Sequence, residues 1–236
     1  MAPFIIVLVL IGASAGALGA QPEELRVLFI GNSLTSVNDV PKLVEVLTAR
    51  GGVRVRTMVV AKNNFSLDDH LQDGEATKAI AGGGWTFAVM QQGPSALEES
   101  RVSRRAAAKR FDALIRGAGA RAALYMVWPA SARRGDFDRV RESYVLAASD
   151  IDGLLIPAGD AWRAAWRRDA SIQLYGGDGF HPTPQASYLS ALVIASALTG
   201  RASGSLAARP VGWPADWLTP DRARLLQEAA AEALKR

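Results

Sequence analysis

Apolar residues alternate along the chain between two patterns: short continuous runs, and longer stretches in which they recur every three or four positions. The first pattern marks buried strands and the second marks helices with one face on a core. Residues 26–30 form an apolar run that ends at Gly31-Asn32-Ser33, which reads as a short strand entering a turn. Between residues 39 and 50, Val40, Leu43, Val44 and Leu47 share a helical face, and Pro41 suits a first turn. Residues 53–60 are rich in β-branched side chains and predict the second strand. Residues 87–90 predict the third, 122–127 the fourth and 153–156 a weak fifth. Helices are predicted from a Ser66 cap to about Ala81, and over residues 102–117, 137–148, 160–168, 183–198 and 220–234. Strands alternating with helices, most of the strands continuously apolar, predict an α/β fold: a three-layer α/β/α sandwich with a mostly parallel sheet of about five strands. No internal repeat interrupts the pattern, and residues 200–214, rich in Pro and Gly, read as a surface connection rather than a domain boundary.

The N-terminal stretch departs from this alternation. Its first charged side chain is Glu23, and an apolar run over residues 4–10 gives way to small residues through Ala20. That is the pattern of a secretory signal peptide over residues 1–20. Ala15-Gly16-Ala17 supplies the small-x-small spacing for cleavage after Ala17, and Ala20 is the other candidate. An uncleaved anchor is the structural alternative, since ~20 apolar residues just span a bilayer. On the signal reading, residues 21–236 form one domain, exported to the periplasm or secreted, with no stable membrane association after cleavage. A chain of 236 residues is long enough to bury a core without disulfides, and the absence of cysteine excludes a thiol nucleophile, a lipid-modified cysteine and a thiolate-held metal. The 27 basic and 23 acidic side chains leave a net charge of +4. The basic residues are mostly Arg at helical intervals among Ala, with no basic run interleaved with aromatics, so they read as solvated faces and no nucleic-acid partner is expected.

In parallel sheets, ligands bind beyond the carboxyl ends of the strands. That singles out Gly31-Asn32-Ser33, Lys62-Asn63-Asn64, Gln91-Gln92-Gly93 and Trp128-Pro129. The chain has two histidines, His70 and His181. Asp178 stands three residues before His181, close enough to fold back onto the ring Nδ1–H and leave Nε2 free to accept a proton. With Ser33 at the end of the first strand, these residues make a nucleophile, a base and an orienting carboxylate. His70 neighbours Asp68 and Asp69 on a predicted helix, where adjacent positions do not face one another. One His is too few ligands for zinc, so His70 reads as structural and neither metal nor cofactor is expected. Trp128, ending the fourth strand, is expected at the rim of the site, stacking on a sugar ring or walling the pocket. Asn38 either caps the following helix or braces the serine turn, and Asp39 reads as a helix-start residue. Trp162 and Trp166, four apart, read as core packing, and Arg133 and Arg134 as solvated, with contact to an anionic substrate as the alternative.

The blocks Gly31-Asn32-Ser33-Leu34-Thr35 and Asp178-Gly179-Phe180-His181-Pro182 resemble the SGNH, or GDSL-type, hydrolase superfamily. They are similar to a bacterial branch whose serine block reads Gly-Asn-Ser rather than Gly-Asp-Ser. Gly159-Asp160-Ala161-Trp162, Leu174-Tyr175 and Tyr188-Leu189 extend the likeness, which spans residues 26–199. The resemblance implies a flavodoxin-like fold and serine-dependent ester hydrolysis, with Ser33 as nucleophile, His181 as base and Asp178 orienting it. The family's oxyanion hole combines the serine N–H, a glycine N–H from a second block and an Asn side chain from a third. Here the second block, Asn63-Asn64-Phe65-Ser66, lacks the Gly, and Asn64 stands as the donor. The third, Met90-Gln91-Gln92-Gly93-Pro94, lacks the Asn, and Gln91 is favoured over Gln92 to replace it. The expected substrate is a small-molecule or glycan ester, O-acetyl groups on carbohydrate among them. The alternatives are a lipase or thioesterase for longer acyl chains, and a non-catalytic binding protein that kept the fold.

Overall fold

The structure, a computed structural model, describes residues 23–49, 52–206 and 217–235. The expected signal peptide at residues 1–20 lies outside the described residues, as do residues 207–214 of the 200–214 connection. In chain order the elements are β1 (Glu23–Gly31), α1 (Ser33–Ser36), a 3-10 turn (Val37–Asp39), α2 (Val40–Thr48), β2 (Val53–Ala61), α3 (Leu67–Asp73) and α4 (Glu75–Ala81). They continue with β3 (Phe87–Met90), α5 (Glu98–Gly117), β4 (Arg121–Tyr125), a 3-10 segment (Ser131–Asp136), α6 (Phe137–Asp150) and β5 (Leu154–Ile156). The described chain closes with α7 (Ala158–Arg168), α8 (Pro184–Thr199), a 3-10 turn (Ser203–Ser205) and α9 (Pro220–Ala233).

The five strands form one parallel sheet in the order β2-β1-β3-β4-β5, the flavodoxin-like arrangement. The step from β1 to β2 runs one way across the sheet and every later step runs the other. Right-handed crossovers therefore place α2 on one face and α3 to α6 on the opposite one. The helix packing agrees: α8 lies against α2 and α9, whereas α5 lies against α3, α4 and α6. Burial follows from this layering. Val27, Leu28, Phe29 and Ile30 of β1 and the whole of β3 are buried because both faces of the central strands are covered. The edge strand β2 instead buries Val55 and Val60 and exposes Arg54 and Arg56. Among the described residues no helix is long and apolar enough to cross a membrane.

Two element boundaries differ from the sequence expectation for identifiable reasons. The helix expected from Ser66 to Ala81 is broken at Gly74, whose φ of 83° ends α3 and starts α4 in the left-handed region that glycine enters freely. Helix α5 begins at Glu98, four residues before the first apolar position of its pattern, with Glu98 and Glu99 in the first turn, where the helix dipole favours acidic side chains.

Helix α7 crosses the end of β4 at very short range. A Cβ on Gly159 would stand 2.7 Å from the Val127 carbonyl oxygen, so the approach requires glycine. One turn on, Trp162 stacks on Trp128 with ring centroids 3.7 Å apart. Gly159→Ala is expected to force the helix off the strand and to lower the free energy of unfolding by ~1–3 kcal/mol. Urea denaturation checks this: the midpoint should fall with the slope unchanged.

Candidate active site

Ser33 opens α1 immediately after β1. Asn32 caps that helix, its Oδ1 accepting from the Leu34 N–H at 3.1 Å, while its Nδ2 donates to the Phe65 carbonyl at 3.1 Å. From the neighbouring strand end, Gln91 Oε1 accepts from the Asn32 N–H at 2.9 Å and from the Thr35 hydroxyl at 2.8 Å. No space is left around this junction: a Cβ on Gly31 would lie 2.3 Å from Thr35 Oγ1 and 2.6 Å from Gln91 Oε1. The Gly31 carbonyl is held from its other side by His70 at 2.8 Å. A carbonyl only accepts, so His70 Nε2 carries the proton, and its Nδ1 is left buried without a partner. Burial lowers the His70 pKa and favours this neutral ring. His70 thus props the serine turn.

The histidine is presented by a tight loop. The Gly176 N–H donates to the His181 carbonyl at 2.7 Å, and the Gly179 N–H to the Gly176 carbonyl at 3.0 Å. Gly179 has φ 69°, and a Cβ there would meet Ser131 Oγ at 2.4 Å. Asp178 Oδ1 accepts from the N–H groups of Phe180 and His181, each at 2.9 Å. Its Oδ2 lies 2.5 Å from His181 Nδ1, and His181 Nε2 lies 2.9 Å from Ser33 Oγ. The structure therefore brings Ser33, His181 and Asp178 into one continuous hydrogen-bonded chain. The His181 ring and then the two backbone N–H groups hold the Asp178 pKa down to about 2, against an ordinary 3.8.

Asn38 joins the two halves of the site. Its Nδ2 donates to the Pro182 carbonyl at 3.0 Å and to Ser187 Oγ at 2.9 Å. To do so it takes φ 55°, and Asp39 follows at φ 51°, a pair of left-handed residues that Asn and Asp tolerate better than most. Asp39 caps α2 through the Lys42 N–H. Of the two roles open to Asn38, bracing is the one it takes, and it reaches the histidine loop rather than the serine turn itself.

A cavity of about 400 Å³ opens beside Ser33, lined among others by Asn64, Phe65, Gln92, Arg133 and Phe180. Asn64 has φ 64°, so asparagine occupies in left-handed form the place where the family pattern has glycine. Gln91 departs from its expected place: it is fully buried, its oxygen is committed to the serine turn, and it does not line the cavity. Successive side chains of extended backbone point to opposite sides, so one of the two glutamines faces the turn and the other the cavity. The cavity residue is Gln92, whose Oε1 accepts from the Leu67 N–H at 3.1 Å. That bond fixes the oxygen and leaves the amide nitrogen as the free end. Trp128 also departs from expectation. It is buried rather than at the rim, stacked on Trp162, and its Nε1 donates to the Phe180 carbonyl at 3.1 Å, so it supports the histidine loop from beneath. Arg133 reaches the cavity wall with its Nε 2.8 Å from Asp136, whereas Arg134 lies 4.3 Å over the Trp166 ring. Among the described residues no group of three or more His, Cys, Asp and Glu side chains is placed to hold a metal ion.

No family model and no curated protein matches the chain. Among solved structures it is similar to a protein from Slackia heliotrinireducens described as an SGNH hydrolase, with 30% identity and a TM-score of 0.62 over 75% of this chain and 100% of the other. A DUF4886 family protein from Bacteroides uniformis matches at 20% identity and a TM-score of 0.70, covering 90% of this chain and 95% of its own. A psychrotrophic esterase from Pseudoalteromonas, in a structure inhibited by monoethylphosphonate, matches at 14% identity and a TM-score of 0.56, covering 74% and 97%. The last two likenesses are of fold.

The lowered Asp178 pKa carries a pH signature. A depressed carboxylate contributes stability that is present above its unfolded pKa and lost as pH falls through the folded value. The difference in unfolding free energy between the native chain and Asp178→Asn should therefore hold at pH 6 and shrink as pH falls from about 3.8 toward 2. Urea titrations of both proteins across that range measure it. Asn38→Gly keeps the left-handed backbone and removes the amide. It is expected to cost ~1–3 kcal/mol through two lost hydrogen bonds and one unpaired carbonyl, read from the same titration at neutral pH.

Proposed function

The chain belongs to the SGNH, or GDSL-type, hydrolase superfamily, and from that membership we propose that it is an exported serine esterase that cleaves carboxylic esters through an acyl-enzyme on Ser33. The observation that carries this reading is the chain of hydrogen bonds from Asp178 through His181 to Ser33 at the wall of a cavity. His181 Nε2 takes the proton of Ser33 Oγ as the oxygen attacks the ester carbonyl carbon. Asp178 fixes the ring tautomer and faces the imidazolium that results. The carbonyl oxygen becomes an oxyanion and meets three donors: the Ser33 N–H, the Asn64 N–H and the Gln92 amide. As the first residue of α1, Ser33 has an N–H that no helical carbonyl can take. His181 then gives its proton to the departing alcohol, and water repeats the sequence on the acyl-enzyme. Every step uses side chains and backbone of this chain, so the reading calls for no cofactor.

The cavity supports a small acyl group on a polar alcohol. Its volume is about 400 Å³, and its largely apolar walls, from Phe65, Pro94, Pro129, Ala130 and Phe180, are interrupted by the polar side chains of Asn64, Ser66, Ser95 and Arg133. A long acyl chain would need a continuous apolar wall, so short esters, with O-acetyl groups on carbohydrate as the proposed natural class, fit better than lipids. Export rests on the composition of residues 1–20.

Treatment with a fluorophosphonate followed by peptide mass spectrometry is expected to place one adduct on Ser33, and Ser33→Ala to abolish turnover of 4-nitrophenyl acetate. Absence of the adduct from the native chain refutes the reading. In a series of 4-nitrophenyl esters the acetate should be cleaved fastest, and a maximum at eight or more carbons would favour a lipase. Gln92→Ala should lower kcat ~10²–10³-fold, the usual effect of one oxyanion donor. Gln91→Ala should act first on stability, through the serine turn.

A further inference from the structure

Arg104, in the second turn of α5, is fully buried, yet no carboxylate among the described residues pairs with it. Its Nη2 donates to the Gly93 carbonyl at 2.6 Å, its Nη1 donates to the Ser143 hydroxyl, and its Nε is buried without a partner. The guanidinium carbon lies 4.2 Å from the centroid of the Tyr144 ring. Tyr144 is itself fully buried, and its hydroxyl accepts from the Gln92 N–H and donates to the Gln92 carbonyl. Burying an ion without a counter-ion is costly, and an Arg cannot escape that cost by losing its proton. Two of the groups that meet this cation, the Gly93 carbonyl and Tyr144, lead to residues 92 and 93, which wall the cavity beside Ser33.

We propose that Arg104 is a positioning residue for ester hydrolysis: it holds the backbone at residues 92 and 93 from beneath the cavity, and it supplies the fixed positive charge that the oxyanion meets as it forms. The proposal rests on the esterase reading above. In the ground state the ester carbonyl is neutral and the buried cation has no anionic partner. Negative charge reaches that wall when Ser33 attacks, so the attraction grows between ground state and transition state and is expressed in kcat rather than in KM. Low polarizability around a buried charge extends its reach compared with one in water. The Gly93 and Gln92 carbonyls, each engaged from below, also keep the Gln92 side chain from turning away from the cavity. A strut that merely ties α5 to α6 and the end of β3 would affect stability and leave turnover per folded molecule unchanged.

Arg104→Met and Arg104→Lys, assayed on 4-nitrophenyl acetate, separate these roles when active molecules are counted by fluorophosphonate labelling carried to completion. Arg104→Met should lower kcat per labelled site by roughly 10–100-fold, less than the ~10²–10³-fold of a direct oxyanion donor because Arg104 acts from behind the wall, with KM changed less than about twofold. Arg104→Lys, which keeps the charge, should recover part of that loss. Equal kcat per labelled site in Arg104→Met and the native chain overturns the proposal, and so does a loss confined to KM or the absence of any rescue by lysine. Where Arg104→Met does not fold, Tyr144→Phe tests the positioning role, since it removes the hydroxyl's hold on Gln92 and keeps the ring. It should lower kcat several-fold at constant KM, and an unchanged kcat overturns that role. Failure of the native chain to label at Ser33 refutes the esterase reading itself, whatever the Arg104 variants do.

Discussion

Where β1 ends, the chain must turn out of a covered sheet within two residues, and the polar groups released from the ladder have no water to bond. The Gln91 carboxamide oxygen at the end of the adjacent β3 resolves this by accepting from both the Asn32 N–H and the Thr35 hydroxyl. On the other side His70 engages the Gly31 carbonyl. A buried unpaired group costs ~1–3 kcal/mol, so these bonds decide whether the turn can exist in the interior. The geometry is tight enough that Gly31 cannot carry a side chain. β1 and β3 are also the strands between which the order of connections reverses, so the crevice that the topology opens lies where Ser33 is held.

The second half of the site comes from a loop 148 positions along the chain from Ser33. Two devices hold it. Trp128 bonds the Phe180 carbonyl from below and is itself clamped against Trp162, which α7 can bring close because residue 159 has no side chain. Asn38 bonds the Pro182 carbonyl from the serine side of the molecule. The loop is thus tied to the sheet and to the segment after α1 by side chains with no role in proton transfer. If Ser33 and His181 exchange a proton as proposed, their 2.9 Å contact needs such supports, because small misplacements of reacting groups are expensive in rate.

The sheet was legible because a parallel sheet covered on both faces leaves its central strands continuously apolar, as residues 27–30 and 87–90 are. Ser33, Asp178 and His181 were legible from strand-end position and local spacing, which do not depend on distant packing. What escaped depends on parity or on remote partners. A pair Gln91-Gln92 has no mark of which member faces the cavity until the strand's register is known. Trp128 follows the fourth strand, where a place at the rim was expected, but α7 and the Phe180 loop cover it. The break at Gly74 hides inside a helical pattern that continues on both sides. Arg104 was obscured by its neighbours, since residues 101–110 carry five Arg and Lys side chains and look like one solvated face. A finer signal was present: residue 104 shares a helical stripe with Ala107, Ala108, Phe111 and Ile115, all buried.

On the proposed mechanism, attack by Ser33 separates charge within the site, making an imidazolium at His181 and an oxyanion at the substrate carbonyl. Each arises opposite a fixed charge of the other sign, and the two fixed charges sit in very different surroundings. Asp178 is half exposed and stabilised by three N–H donors, so water and backbone dipoles already satisfy it before reaction. Arg104 is buried with a π face, a hydroxyl and a carbonyl, so it enters the reaction under-compensated. The carboxylate therefore acts mainly by keeping the ring in one tautomer and orientation. The cation has more to gain, because the developing oxyanion is the first negative charge the site brings near it. This asymmetry bears on the Asn-to-Gln departure in the third block. A longer amide that has lost some rigidity can still serve where the backbone carrying it is held from below and the wall behind it is already positive.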